Sequence, residues 1–399
     1  MYMYFPTNYV WSMSVVATLN NGGLIDDVDK ASRPVLEASQ HGDDAGTELL
    51  YASWQAVADR LLAAAEADEA RGWKKGASEK YYRAALYTSQ AERLQSPKWE
   101  GRKAAYQRSI DLLLKHAELG DVPLTTVDIP YVREDEGAGE GVEGVDSALP
   151  GYFYRAPGDG PKPLVVMWNG LDSTKEMMYT SGFPQQLAAR GISTLMMDPP
   201  GSGEALRMRD LRARFDTEVW AEATLDWVEA NADELGVDAT KVGLVGWSLG
   251  GYYVPRATAF EKRIALAVAW GANYDWAAVQ EARRRREGEN PVPHYWDHVH
   301  WVFGASDMDD FIEKTKNMRL EGVVERITVP FLVTHGEGDR QIPVSYAHDE
   351  YEAAVNSPKR ELRIFTQEEG GAEHIGLDNM PYVGEFTADW VAETFAELG

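Results

Sequence analysis

Six short apolar runs in the last two-thirds of the chain constrain the fold most: "PLVVMWN", "ISTLMMD", "VGLVGW", "IALAVAW", "VPFLVTH" and "ELRIFT". Side chains on a strand alternate between two faces, so a strand that is apolar almost throughout must be covered on both. The segments between these runs repeat apolar residues at helical spacing, as in "EVWAEATLDWVEANADEL". Strands alternating with helices of that kind build a mostly parallel sheet with helices on its faces. Two earlier β-rich runs, "VPLTTVDIPYV" and "GYFYRAP", raise the expected sheet to eight strands. The acidic, glycine-rich stretch at 133–146 is expected to join those two as an exposed hairpin loop.

Upstream, residues from about 46 to 118 contain three alanine-rich stretches with helical apolar periodicity, beginning at "ELLYASWQAVADRLL", "SEKYYRAALY" and "EGRKAAYQRSIDLLL". No repeat at a solenoid period accompanies them, so an ordinary bundle is expected. The organisation that follows is an N-terminal helical region over 1–121 and an α/β catalytic domain over 122–399. Between "AVAWGANYDW" and "ERITVPFLVTH" lie some fifty residues rich in Trp, His, Asp and Arg. An excursion of that length and aromatic content, about 273–326, is expected to be a helical lid.

Bulk composition narrows the partners. The formal net charge is −25, so the surface repels nucleic acid and anionic lipid alike, and a small-molecule substrate is the expected partner. No apolar run approaches the roughly 20 residues that span a bilayer. The N-terminal apolar patch has no basic residue before Lys30, unlike a secretion signal, and a cytoplasmic location is expected. The chain has no cysteine, which removes disulfides, thiolate metal sites and cysteine nucleophiles together.

Within "VGLVGWSLGGYY", Ser248 stands between Gly246 and Gly250 where a buried strand gives way to a helix. A nucleophile elbow, a phosphate-binding turn and an incidental serine compete for this pattern. The elbow requires a base and an acid further along, each at a strand's carboxyl end, because a serine hydroxyl needs a proton acceptor and that acceptor needs orienting. Asp339 follows the strand in "FLVTHGEGD", and His374 follows the next strand in "EEGGAEHIG". Glu337 is the rival acid, and Asp339 could instead cap the following helix. His335 falls inside a strand end. His294, His298 and His300 with Asp297 form a "HYWDHVH" cluster, but the carboxylates that would complete a metal site are missing; neither metal nor cofactor is expected. A nucleotide cradle fails for want of a lysine after "MDPPGSGE". The backbone amides of Leu249 and of Leu171, in the "NGLDS" turn, are the expected oxyanion donors.

"NGLDSTKE", "MDPPGSGE", "VGLVGWSLGGYY", "HGEGD" and "EHIG", behind a helical N-terminal region, resemble the α/β-hydrolase family of 2,6-dihydropseudooxynicotine hydrolase, the fungal polyketide-shortening pigment hydrolases and the FrsA-like proteins. The resemblance implies the α/β-hydrolase fold, Ser248, Asp339 and His374 as catalytic residues, a homodimer, and cleavage of a carbon–carbon bond beside a ketone. The loop carboxylate of that family falls on Asp172, where the nicotine-pathway enzyme has the longer glutamate; helix capping is the alternative role. A carboxylesterase or thioesterase with the same triad is the second functional reading, and a non-catalytic binding protein on this fold the third.

Overall fold

The computed structural model describes residues 1–40, 46–133, 145–285 and 293–399. Eight strands form one sheet in the order β1-β2-β4-β3-β5-β6-β7-β8. They are β1 (Leu124–Arg133), β2 (Val145–Tyr154), β3 (Lys162–Trp168), β4 (Ser193–Met197), β5 (Val237–Trp247), β6 (Leu266–Trp270), β7 (Phe331–Gly336) and β8 (Arg360–Phe365). β2 runs antiparallel to β4, and the pairings from β4 through β8 are parallel. Every residue of β4, β6 and β7 is buried, so both faces of these strands are covered, as their largely apolar sequence predicts. Most of the hairpin loop expected at 133–146 lies outside the described residues.

The register decides where chemistry can occur. Trp168 pairs with Gly246, Trp247 with Trp270, and Trp270 with Thr334, so the carboxyl ends of β3, β5, β6 and β7 lie level. The loops that leave them rise from one edge of the sheet, the edge at which parallel sheets hold their ligands.

The described residues of Met1–Leu124 and Glu287–His298 form one compact unit, and those of Thr125–Arg286 and Val299–Gly399 a second. The first unit contains α1 (Tyr9–Asn20), α2 (Ile25–Gln40), α3 (Gly46–Ala70), α4 (Lys74–Arg93) and α5 (Arg102–Gly120). The first two are additional to the three helices legible in the sequence. α1 is buried continuously from Val10 to Thr18, so it has no polar face to mark a helical period. Its start is secured by Asn8, whose side chain accepts the Trp11 amide. Phe5, Trp11, Val28, Val35, Trp54 and Tyr87 meet in the core of this unit. The stretch expected as one lid over 273–326 is divided between the two units: its residues 293–298 group with the first and the rest of its described residues with the second.

One buried group in the second unit works against stability. Glu350, on the helix Ser345–Ala353, is fully buried, and neither carboxylate oxygen has a hydrogen-bond partner. Burial pushes its carboxyl well above the usual range. As pH rises, the unfolded chain releases this proton before the folded one does, so the protein loses stability between the ordinary carboxyl range and the raised folded value. Glu350→Met is expected to stabilise the protein at pH 8 by about 1–3 kcal/mol, the scale of an unsatisfied buried polar group, and by less at pH 5. Chemical denaturation at both pH values measures this; an equal gain at the two would refute it.

Candidate active site

Ser248 sits between β5 and the helix Gly250–Phe260 with φ of +58°, a left-handed conformation that costs a non-glycine residue roughly 1–2 kcal/mol. That strain lifts the side chain off the end of the strand. The turn is possible because Gly246 lacks a side chain: a Cβ there would lie 2.4 Å from the Gly250 carbonyl oxygen.

The loops after β7 and β8 bring two more side chains to Ser248. His374 Nε2 lies 2.9 Å from Ser248 Oγ, and His374 Nδ1 lies 2.8 Å from Asp339 Oδ2. A carboxylate only accepts, so Nδ1 carries the proton and Nε2 is left to accept from the serine hydroxyl. The other carboxylate oxygen, Asp339 Oδ1, accepts the amides of Gln341 at 2.7 Å and Ile342 at 3.0 Å. Asp339 thus pins its own turn and orients the imidazole at once; the helix that follows begins only at Ser345. Burial raises its carboxyl, but the facing His374 and these hydrogen bonds outweigh that, so it stays below the ordinary value and ionised. Glu337 points elsewhere, accepting the Gln367 amide at 2.6 Å on the surface. His335 is a second imidazole near Asp339, 3.6 Å from Oδ2, and burial lowers its basicity, leaving it neutral with Nε2 directed at the Ile342 carbonyl.

The loop after β3 faces the serine. A Cβ on Gly170 would lie 2.8 Å from Ser248 Cβ, 3.0 Å from Ser248 Oγ and 3.2 Å from the Leu249 nitrogen. Only glycine leaves room there for a substrate atom beside the nucleophile. The Gly170 amide is engaged with Ser173 Oγ at 2.9 Å, and Leu171, expected from the sequence as an oxyanion donor, follows it on the same loop. Asp172 is half-buried on the same loop. The helix Lys175–Thr180 (α6) is capped by Thr174, whose side chain accepts the Met177 amide.

Beneath this loop lies a buried charge cluster that sequence reading missed. Lys175 Nζ is 2.7 Å from Glu176, 2.7 Å from Glu204 and 3.6 Å from Asp198. Asp198, fully buried at the end of β4, accepts the Asn169 side chain at 2.6 Å and the Lys175 amide at 2.7 Å on one oxygen, and the Glu204 amide at 2.8 Å on the other. Burial pushes the Asp198 carboxyl up to about 6. "MDPPGSGE" is therefore the cradle of Asp198: a Cβ at Gly203, where φ is +43°, would meet the carboxylate at 2.1 Å. The signal available in the sequence was a lysine and three carboxylates in two segments that both follow buried strands.

The lid histidines do not converge. His294 meets Thr47 at 3.3 Å, Asp297 pairs with Lys98 at 3.1 Å, and among the described residues no three His, Cys, Asp or Glu side chains are grouped to hold a metal. No described helix is long and apolar enough to cross a membrane.

A mostly parallel eight-stranded sheet with a serine elbow after β5, an acid after β7 and a histidine after β8 defines an α/β-hydrolase. The prolyl oligopeptidase family model matches residues 179–397, more than half of the chain, and the chain belongs to that family. Among curated proteins it is 28% identical to 20-hydroxy-prefusarin hydrolase FUS2 of Gibberella moniliformis, over 88% of this chain and 89% of that protein. It is 26% identical to 2,6-dihydropseudooxynicotine hydrolase of Paenarthrobacter nicotinovorans, over 79% of this chain and 77% of the relative. The crystal structure of 2,6-dihydroxy-pseudo-oxynicotine hydrolase superposes with a TM-score of 0.73, covering 96% of each chain at 22% identity, a likeness of fold. The α/β-hydrolase fold expected from the sequence is thus the fold of the protein, and its relatives include the hydrolases it was expected to resemble.

Proposed function

We propose that this protein is a serine hydrolase that cleaves a carbon–carbon bond adjacent to a ketone in a diketone, acyl-aromatic or polyketide-like small molecule. The observation that carries the serine chemistry is the continuous hydrogen-bonded line from Asp339 through His374 to Ser248, with Gly170 opposite. The Ser248 hydroxyl gives its proton to His374 Nε2 while its oxygen bonds to the substrate carbonyl carbon. The resulting oxyanion is held by the Leu249 and Leu171 amides. Collapse of the tetrahedral intermediate breaks the bond to the leaving carbon, whose electron pair is taken up as an enolate or phenolate and protonated from His374 Nε2. Water, deprotonated by the same nitrogen, then releases the acyl group as a carboxylic acid.

Kinship with 2,6-dihydropseudooxynicotine hydrolase supports carbon–carbon cleavage over ester cleavage, and Asp172 provides the test. A carboxylate close to a developing oxyanion opposes it unless it is protonated, paired with a cation, or directed at a substrate hydroxyl or amine. In the proposed role, Asp172→Asn lowers cleavage of a β-diketone by about 10²-fold or more, the contribution of a positioned acid or base, and spares a simple aryl ester. Product analysis with paired kinetics on the two substrates measures this. Equal losses on both would make Asp172 a brace of the oxyanion loop and favour the carboxylesterase or thioesterase reading.

A further inference from the structure

Two tryptophans stand side by side where the nucleophile leaves the sheet. Trp247 ends β5 and Trp270 ends β6; they are register partners, both are buried, and their rings meet edge to face at 6.2 Å. Their indole N–H groups reach different loops. Trp247 Nε1 donates to Ser173 Oγ at 3.1 Å, the same oxygen that accepts the Gly170 amide and so shapes the oxyanion loop. Trp270 Nε1 donates to the Ile375 carbonyl at 2.9 Å, one residue beyond His374. The Trp270 backbone carbonyl in turn accepts the Ser248 amide at 2.9 Å.

This pattern exceeds what core filling needs. The indole nitrogens of Trp168, Trp220 and Trp390 are buried in the same unit without a hydrogen-bond partner, so packing here tolerates an unpaired indole. Ile375, by contrast, requires restraint. It is a β-branched residue at φ of +50°, a conformation that persists only where its surroundings enforce it. Gly271, immediately after Trp270, leaves the space for it: a Cβ there would lie 3.1 Å from Ile375 Cγ2 and 3.4 Å from the Ser248 nitrogen.

We propose that Trp247 and Trp270 are positioning residues that act as a two-armed brace, one indole setting the oxyanion loop and the other the histidine loop on either side of Ser248. The oxyanion loop leaves β3 and the histidine loop leaves β8, strands that are not neighbours in the sheet. The two indoles link these loops through the strands between them, at the point where Ser248 leaves the sheet. The inference rests on Ser248 and His374 acting as proposed above.

Phenylalanine at each position keeps an aromatic ring and deletes only the N–H. With a simple aryl ester, Trp270→Phe is expected to lower kcat about 10- to 100-fold, the scale of a sub-ångström misplacement of a catalytic group, with KM within about twofold. It should slow phosphonylation of Ser248 by a fluorophosphonate in proportion, since that step also needs the base. Trp247→Phe should instead weaken a boronic acid, whose tetrahedral adduct places an oxygen at the oxyanion position, by about tenfold. Trp220→Phe, which deletes an unpartnered indole nitrogen from the same unit, should change none of these. If both brace variants keep kcat, labelling rate and boronate affinity within about twofold of the parent, the brace is refuted. Should Trp270→Phe not fold, as judged by circular dichroism, boronate affinity in Trp247→Phe decides alone. A fully active Ser248→Ala would refute the underlying catalytic reading instead, a result separate from any outcome at the tryptophans.

Discussion

Ser248→Ala should yield a folded protein with no detectable fluorophosphonate labelling and with turnover reduced by about 10⁴-fold or more. The substitution removes one hydroxyl at the carboxyl edge of the sheet and leaves the elbow backbone and the packed glycines Gly246 and Gly250 untouched, so circular dichroism should match the parent. Asp339→Asn should approach the same loss for a different reason. One oxygen of Asp339 takes two backbone amides and the other takes His374 Nδ1–H. An asparagine has a single acceptor oxygen, and two fixed amides claim it, so its NH₂ faces the imidazole. Nδ1 must then accept and Nε2 must carry the proton, the tautomer that cannot deprotonate Ser248. Turnover within about tenfold of the parent in Ser248→Ala would remove Ser248 from the mechanism.

Lys175→Met should destabilise the protein by about 3–5 kcal/mol, because it removes the cation beside the buried carboxylates Glu176 and Asp198, while Glu204 keeps Arg209 at 2.8 Å. Lys175 is 2% exposed and serves Glu176, Glu204 and Asp198 together. Asp198 is already pushed up by burial, and without the lysine its folded value rises further above that of the unfolded chain. The sign follows directly: a carboxyl raised in the folded state costs stability as pH rises, so the deficit should be largest at pH 8 and shrink toward pH 5, where protonation neutralises the cluster. Urea denaturation at the two pH values measures it, and a deficit below about 1 kcal/mol at pH 8 would refute the assignment. Because Asp198 also fastens Asn169 and the Lys175 amide, any variant that remains folded should show a looser oxyanion loop and a lower kcat.

Strand identity was legible because burial on both faces leaves a one-dimensional trace. β6 is apolar throughout, and β4 and β7 are largely so with only small or late polar residues, a pattern that burial on both faces produces. Ser248 was legible for a related reason: a small-residue turn between a buried strand and a helix forms only with glycine where the backbone closes on itself, as at Gly246. The order of Ser248, Asp339 and His374, each after a strand, made them candidates. Periodicity alone could not place α1, buried continuously from Val10 to Thr18, whereas α2 does carry helical spacing in Val28, Ala31 and Val35, a signal the sequence held.

Partner choice outside Ser248, Asp339 and His374 was beyond the sequence. A lysine at 175 and an aspartate at 198 belong to different crossovers, and nothing in their spacing states that β3 and β4 lie side by side with their ends level. Whether Asp339 or Glu337 faces His374 depends on a turn held by two backbone amides, and whether an indole is filler or brace depends on which carbonyl or hydroxyl lies opposite its nitrogen. The sequence by itself determined which segments must be buried and where a strained turn could stand, since these follow from local hydrophobicity and backbone sterics. Only the tertiary structure decided which charges neutralise one another and which loops are tied to Ser248, because hydrogen bonds and ion pairs depend on distances of a few ångströms between residues far apart in the chain.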